Sequence, residues 1–409
     1  MSEPTSPGPT ARPMQEFEAA IDRSQTDVAV FDEPKGGPLR AFQGFLHDNP
    51  TAAPALVLLL SCAVFGAIAP NFFSAFNLSL IIQQVTVIGI LGAAQTLVIL
   101  TAGIDLSVAA IMVLSYMTMA RLAVEGGVPS PLAILIGLAV GAACGLLNGS
   151  LATRARVLPI LAAVLVWVAA LQSGLDLIHA APLGILAGLG VGIWGVGPAP
   201  ALRLPPFIVT LGAWSIFFAL TLWYSEAQTV RSQDIDAAAP LLKVFGLRVE
   251  LFGAQFTLGS FLMLGVFVAL WYALGSTGWG RSVYAVGDDK EAAELSGIRT
   301  DRVLLSVYGV AGFLCALGGW AAIGRVGSAS PQSFYEGNLD AITAVVIGGT
   351  SLFGGRGAIF GTLIGALIVG VFRSGLKLAG VEVLWQGFAI GLLIIVAVAM
   401  DQWIRRVSS

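Results

Sequence analysis

Charged residues are scarce in this sequence. Of its 409 residues, 21 are Lys or Arg and 24 are Asp or Glu, together 11%, against about 25% in a typical soluble domain. Hydrophobic residues make up 56% of the chain, and the mean hydropathy is +0.87. A soluble globular domain is therefore excluded. Because one bilayer crossing takes about 20 apolar residues and the chain holds many such runs, we predict a polytopic membrane protein.

Histidine and cysteine are also rare, with two and three copies. Two histidines are too few for a histidine metal cluster, and Cys62, Cys144 and Cys315 all fall in apolar segments. We interpret the cysteines as packing residues and expect neither a disulfide framework nor a metal site.

The sequence motifs of several enzyme classes are missing. The chain has no G-x-x-x-x-G-K-[ST], so it does not bind and split ATP through a P-loop of its own, and it has no G-x-S-x-G. We predict no catalytic residue. Few carboxylates lie in the apolar segments, which weakens an ion-coupled carrier as an interpretation without excluding it.

The first 45 residues differ from the rest. They are rich in Pro, Ser and acidic residues and lack the basic start and apolar core of a secretory signal. We predict that 1–45 is a disordered cytoplasmic tail and that 46–409 forms the membrane domain.

Apolar runs follow one another along 46–409. With the N-terminus inside, most Lys and Arg residues outside these runs fall on the cytoplasmic side, which favours this threading and places both termini in the cytoplasm. The loop at 224–256 is then outside. The twelve candidate runs are 52–69, 80–101, 105–122, 131–153, 157–178, 180–197, 205–223, 257–275, 303–323, 339–353, 357–373 and 382–401.

Glycines recur every four residues in several runs. One series is Gly137, Gly141, Gly145 and Gly149. Small residues at this spacing let helix backbones approach closely in a membrane, so we predict tightly packed helix pairs.

Two polar interruptions, one in each half of the chain, break the apolar pattern at 100–110 and 346–361. Discontinuous hydrophobic segments in such positions indicate a translocation path. A charge at the bilayer centre is costly, so Asp105 is functional, or lies near an interface, or caps the next helix.

A charged, amphipathic stretch lies between apolar runs at 280–302. Asp288 followed by Glu291 has the spacing of a capping box, and Gly297 stands where a left-handed residue would end the helix. Such a short capped helix suits docking by a soluble partner, although an ordinary basic loop remains an alternative.

In combination, five strings resemble the permease subunits of bacterial monosaccharide ABC importers of the ribose, xylose, arabinose and fructose branch. The resemblance runs from about residue 40 to the C-terminus, apart from one block, and within the branch it is strongest to the fructose permeases. The strings are LTAGIDLSVA, PPFIVTLG, GRSVYAVGDDKEAAELSGI, AITAVVIGGTSLFGGRGAIFGTLIGALIVG and IGLLIIVAVAMDQWIRR.

The resemblance implies a permease homodimer in the bacterial inner membrane that moves a monosaccharide. Its expected partners are a cytoplasmic ABC ATPase, which binds ATP and Mg, and a periplasmic sugar-binding protein. The chain itself holds no cofactor and binds no nucleic acid. The expected fold is all-α, with about ten core transmembrane helices.

The resemblance also assigns roles to residues. The 280–302 stretch becomes a coupling loop, with a docking face for the ATPase formed by Glu291, Ala292, Ala293, Leu295, Ser296 and Gly297. The interrupted segments become the gate and path for an uncharged sugar. Candidate path residues are Gln83, Gln84, Gln95, Thr101, Asp105, Ser107, Gly348, Gly349 and Thr350, although each glutamine or threonine could equally bond to a neighbouring helix.

The block at 156–202 departs from the resemblance. It holds two apolar runs separated near Asp176–Pro182, with Asp176 and His179 as turn residues. We predict an inserted helical hairpin, which raises the apolar segments to about twelve. Two other functions stay open, an ion-coupled secondary sugar carrier and a membrane scaffold or receptor without transport.

Overall fold

The computed structural model describes residues 51–154, 204–251 and 253–405, and these form a mainly helical bundle. The predicted tail at 1–45 and the predicted hairpin at 156–202 lie outside the described residues. In chain order the helices are α1 (Ala52–Ile68), α2 (Ala75–Leu100), α3 (Val108–Val124), α4 (Ser130–Arg154), α5 (Pro206–Ser225), α6 (Ser232–Ala238), α7 (Leu258–Ser276), α8 (Gly278–Asp288), α9 (Lys290–Leu295), α10 (Thr300–Val326), α11 (Gly337–Ile347), α12 (Ile359–Leu378) and α13 (Val383–Arg405).

Six of these helices are long and apolar enough to cross a membrane, namely α2, α4, α5, α7, α10 and α12. Shorter apolar helices are α1, α3 and α11, and the segment Val383–Leu393 of α13 is apolar as well. Every predicted apolar run outside 155–203 overlaps one of these ten helices. The polytopic helical prediction is therefore confirmed in the part of the chain that the structure describes.

A small β-hairpin corrects the prediction of an all-α fold. Strands β1 (Arg248–Leu251) and β2 (Ala254–Thr257) pair antiparallel, with Arg248 opposite Thr257. The turn needs Gly253, whose φ is +76°. Polar and apolar residues alternate only over four positions in each strand, too few for the hydropathy pattern to reveal them.

The hairpin and α8–α9 lie at opposite ends of α2. Near the start of α2, the Ser79 hydroxyl accepts a hydrogen bond from Gln255 N at 2.8 Å. At the other end, the backbone of Leu100 contacts Gly287 in α8. We call these two sides the hairpin face and the α8–α9 face. A 3₁₀ helix, Pro240–Gly246, and α6 complete the hairpin face.

The predicted close packing at the glycine series is confirmed where α4 meets α10. A Cβ on Gly141 would lie 2.6 Å from the Gly312 carbonyl oxygen, and a Cβ on Gly145 would clash with the carbonyl oxygen of Tyr308. Backbones this close leave room only for hydrogen, which explains why glycine occupies these positions.

Helices α3 and α11 both begin inside the bundle, and α11, with 11 residues, is too short to cross a bilayer. The start of α11 lies beside the middle of α2, where Gly337 faces Leu91 and Ala109. The start of α3 follows a loop, 101–107, that folds back along α2 so that Asp105 reaches Gln95. The interruptions noted in the sequence therefore place irregular backbone inside the bundle, where protein groups must satisfy it.

If the α4–α10 contact is as close as described, alanine should destabilise the protein at Gly145, within the contact, but not at Gly265, outside it. Gly145→Ala should lower the free energy of unfolding by about 1–3 kcal/mol, the usual cost of overpacking. Gly265→Ala in α7 is the matched control, because a Cβ there meets no atom within 4 Å. Thermal midpoints of the detergent-purified protein would measure both, and equal midpoints would contradict this account of the contact.

Candidate functional site

The short helix α9 is capped one residue later than the sequence suggested. Asp289, with φ −150° and ψ 108°, is the N-cap, and its carboxylate accepts hydrogen bonds from Glu291 N at 2.9 Å and Ala292 N at 3.0 Å. The predicted cap, Asp288, is instead the last residue of α8. Its backbone lies against Gly355, which keeps it helical, so the predicted Asp288–Glu291 capping box is wrong.

The C-terminal end of α9 follows the prediction. Gly297 has φ +83°, the left-handed conformation that favours glycine. Its N–H donates to the Glu294 carbonyl and Ile298 N donates to the Ala293 carbonyl, each at 3.0 Å. These bonds satisfy carbonyls that the helix end would otherwise leave unpaired.

Five of the six predicted docking residues are exposed: Glu291, Ala292, Leu295, Ser296 and Gly297. Leu295 is 91% exposed, which is unusual for a large apolar side chain outside a membrane-spanning helix. Ala293 is the exception at 4% exposed, so its place on a docking face is wrong. A helix of six residues that packs on the rest of the protein has one side against it, and Ala293 lies on that side.

The loop at 101–107 contains the most deeply buried carboxylate described. Asp105 is 1% exposed, and its Oδ1 accepts bonds from the N–H of Ser107 at 2.7 Å and from its hydroxyl at 2.6 Å. Gln95 is fully buried, and its side-chain amide pairs with the backbone N–H and carbonyl of Asp105. Asp105 is therefore not the N-cap of α3, which is Ser107.

Asn148 in α4 completes this polar cluster, and sequence reasoning missed it. Its amide donates to the Ser107 hydroxyl at 2.7 Å and lies 3.5 Å from Asp105 Oδ2. A single asparagine in an apolar helix gave no signal of this role. The Asn148 amide oxygen and the Tyr308 hydroxyl are buried without a partner among the described residues.

Neighbouring helices hold the same loop through its carbonyl groups. Thr210 in α5 donates to the Ile104 carbonyl at 2.9 Å, and Asn338 in α11 donates to the Leu106 carbonyl at 3.2 Å. Thr101, also buried, donates back to the Val98 carbonyl at 2.8 Å. Four helices besides α3 thus bond to or end in this loop.

The second interrupted segment, between α11 and α12, is rich in glycine. Gly348 packs backbone to backbone on Gly361, and Gly349 has φ +82°. Thr350 is 3% exposed, and its hydroxyl has no hydrogen-bond partner among the described residues. A hydrogen bond from Ser351 N to the Arg356 carbonyl, 2.9 Å, closes the loop.

The two interrupted segments meet at the α8–α9 face. Gly355 N donates to the Leu100 carbonyl at 3.0 Å, and the Tyr284 hydroxyl in α8 donates to the Gly357 carbonyl at 2.9 Å. Burial raises the pKa of Tyr284, so its hydroxyl keeps the proton that it donates at neutral pH.

The predicted path residues therefore do not form one group. Gln95, Asp105 and Ser107 lie in one buried cluster, with Thr101 in the same loop. Gly348 packs on Gly361 of α12, and Gly349 and Thr350 follow it in the second segment. Gln83 and Gln84 are half-exposed nearer the hairpin face.

Helix geometry separates the two sets of glutamines. Gln83 donates to the Gln255 carbonyl at 3.0 Å. It precedes Gln95 by twelve residues along α2, which corresponds to about 18 Å of helix.

The sequence matches the family model described as "Branched-chain amino acid transport system / permease component" over residues 77–175 and 159–398. The fructose import permease protein of Rhizobium meliloti is 48% identical over 400 residues, 98% of each chain. The ribose import permease protein of Bacillus subtilis is 34% identical over 353 residues, 85% of this chain and 92% of that one. The xylose transport system permease protein of Haemophilus influenzae is 30% identical over 362 residues, 86% and 94% of the two chains.

The match to the Rhizobium protein is longer than the resemblance suggested. An alignment over 98% of both chains extends into the tail, so the expectation of a match that begins at about residue 40 is wrong for this relative. No solved structure gives a significant match. The family model matches most of this chain, and its relatives are 30–48% identical to it. This multi-pass membrane chain therefore belongs to the transport-system permease family that the model describes.

Proposed function

We propose that this chain is the membrane-spanning permease subunit of an ATP-driven importer for a monosaccharide, with fructose as the expected sugar. The observation that carries this proposal is 48% identity to a fructose import permease over 98% of both chains. The ribose and xylose permeases are less similar but share the family. The chain is not an enzyme; a partner ATPase binds ATP and Mg.

The proposed orientation places the α8–α9 face in the cytoplasm. Arg281, Arg299, Arg302 and Arg356 are exposed on this face, and positive charge favours the cytoplasmic side. Both termini are then cytoplasmic, and the hairpin face, where the segment 224–257 lies, is periplasmic. A periplasmic sugar-binding protein would deliver the sugar to that face. A second copy of the chain completes the assembly.

The proposed docking element for the ATPase is α9. Its exposed surface, formed by Glu291, Ala292, Leu295, Ser296 and Gly297, replaces the six-residue face that included Ala293. Caps at both ends, Asp289 and Gly297, hold a helix of six residues that would be unstable alone. The nearly fully exposed Leu295 fits an apolar pocket of a partner.

The proposed gate consists of the loop 101–107 and the segment 348–357. A sugar carries no charge, so the path needs hydroxyl and amide groups. In the described conformation Gln95, Thr101, Ser107 and Thr350 are buried. Opening of the path therefore requires these segments to move apart, in keeping with alternating access by rigid-body rocking.

The first test is uptake of labelled fructose into proteoliposomes that contain this chain, its candidate ATPase and its candidate binding protein. We expect uptake only with all three components and ATP, and competition by ribose or xylose would rank the sugars. Uptake by this chain alone under an ion gradient would overturn the proposal in favour of a secondary carrier.

Leu295→Arg should lower the affinity of the permease for the ATPase subunit by about 30-fold, the effect of losing one interface hot spot. Copurification of the two subunits would show this loss. The side chain is 91% exposed, so the permease itself should stay folded. Leu247→Arg on the hairpin face, where Leu247 is 58% exposed, is the control and should leave ATPase binding unchanged. Equal binding by both variants would remove α9 from the interface.

Two substitutions show whether Asp105 acts as a hydrogen-bond acceptor that supports the loop or whether transport needs its negative charge. Asp105→Ala leaves the Ser107 donors without an acceptor, which should lower the free energy of unfolding by about 1–3 kcal/mol and reduce uptake. Asp105→Asn keeps an acceptor and should retain most uptake, because the sugar is uncharged. If Asp105→Asn were stable but lost uptake as completely as Asp105→Ala, the charge itself would be required, as in an ion-coupled carrier.

A further inference from the structure

Three backbone segments meet at the α8–α9 face with almost no side chains between them. They are the end of α2 at Leu100, the end of α8 at Gly287, and the glycine pair Gly354–Gly355 in the second interrupted segment. We propose that this contact, the Gly287 joint, transmits movement of α8–α9 to the two gate segments and sets how much sugar is moved per ATP hydrolysed.

The contact is close on every side. A Cβ on Gly287 would lie 2.6 Å from Gly355 N and would overlap the carbonyl oxygen of Leu100. A Cβ on Gly354 would lie 2.6 Å from the Gly287 carbonyl oxygen and 2.8 Å from Ala102 N. Gly355 N also donates to the Leu100 carbonyl at 3.0 Å, which joins the second gate segment to the end of α2 at the point where Gly287 of α8 packs against both.

Such a contact cannot absorb a small displacement of one segment. Side chains change rotamer to absorb a small displacement, whereas packed backbones move together. A shift of α8 must therefore displace the Leu100 end of α2 or the Gly354–Gly355 turn. From Leu100 the chain continues directly into the loop that holds Asp105, so the displacement reaches the buried polar cluster.

Two side-chain bonds keep α8 from sliding away from the joint. Tyr284 donates to the Gly357 carbonyl at 2.9 Å, on the glycine-rich segment. Trp279 donates its indole N–H to the Ser306 hydroxyl in α10 at 2.8 Å, at the other end of α8. Because α9 follows α8 after a single residue, Asp289, a force on α9 acts on the joint through α8.

This inference rests on the proposed function, because it assumes that an ATPase moves α9. It goes further by assigning a positioning role to Gly287, Gly355 and Tyr284, none of which touches sugar or ATPase in the proposal. The joint thus predicts an uncoupled phenotype, in which ATP is hydrolysed normally but sugar is not carried.

The test compares Gly287→Ala with Gly278→Ala in the complete importer. Both substitutions lie in α8, but a Cβ on Gly278 meets only the end of the Arg281 side chain, at 3.7 Å. Assembly, ATP hydrolysis and fructose uptake would be measured in the same proteoliposomes. For Gly287→Ala we expect intact assembly and hydrolysis, with sugar moved per ATP reduced about tenfold, a factor within the range for overpacking. Gly278→Ala should match the unmodified protein.

A milder variant decides the case if Gly287→Ala fails to assemble. Tyr284→Phe removes one hydroxyl and should lower sugar moved per ATP about fivefold, the factor for one neutral hydrogen bond. A normal ratio of sugar to ATP in Tyr284→Phe, or in an assembled Gly287→Ala importer, would overturn the joint. Absence of uptake by the unmodified importer would instead overturn the proposed function, so the two failures are distinct.

Discussion

The structure depends on satisfying the backbone of one irregular loop inside a membrane protein. Residues 101–107 form no regular secondary structure, yet Thr101, Asp105 and Ser107 are all nearly inaccessible to solvent. Lipid offers no hydrogen bonds, so each N–H and carbonyl of such a loop needs a protein partner or a water-filled cavity. Side chains from α2, α5 and α11 supply such backbone partners, and Asn148 of α4 bonds to the Ser107 hydroxyl. The loop therefore links those four helices.

A similar constraint accounts for two of the close glycine contacts. A loop that turns back into the bundle brings helix ends together, and only residues without side chains let the chain pass. Gly287 and Gly355 meet beside Leu100, and Gly348 meets Gly361 at the end of α11. At the first of these contacts a backbone hydrogen bond, from Gly355 N to the Leu100 carbonyl, takes the place of side-chain packing.

Hydropathy and spacing predicted the helices well because a bilayer allows few other structures. They failed where the outcome depends on contacts distant in sequence. Asp288 and Asp289 are equally good caps by residue type, and only the contact of Asp288 with Gly355 decides between them. Asn148 gave no signal because one amide in an apolar helix is common. The glutamines of α2 looked equivalent, but only Gln95 faces the folded-back loop.

The scarcity of carboxylates in the apolar helices and the close backbone contacts at the α8–α9 face both favour ATP-driven transport over ion-coupled transport. A carrier driven by ions needs groups that bind the ion at membrane depth and release it, but Asp105 already accepts two hydrogen bonds from Ser107. Its carboxylate is used to hold a loop. Under the proposed function an uncharged substrate needs no counter-charge, and α9, which is exposed and follows α8 after one residue, is the element that we propose receives the energy from the ATPase.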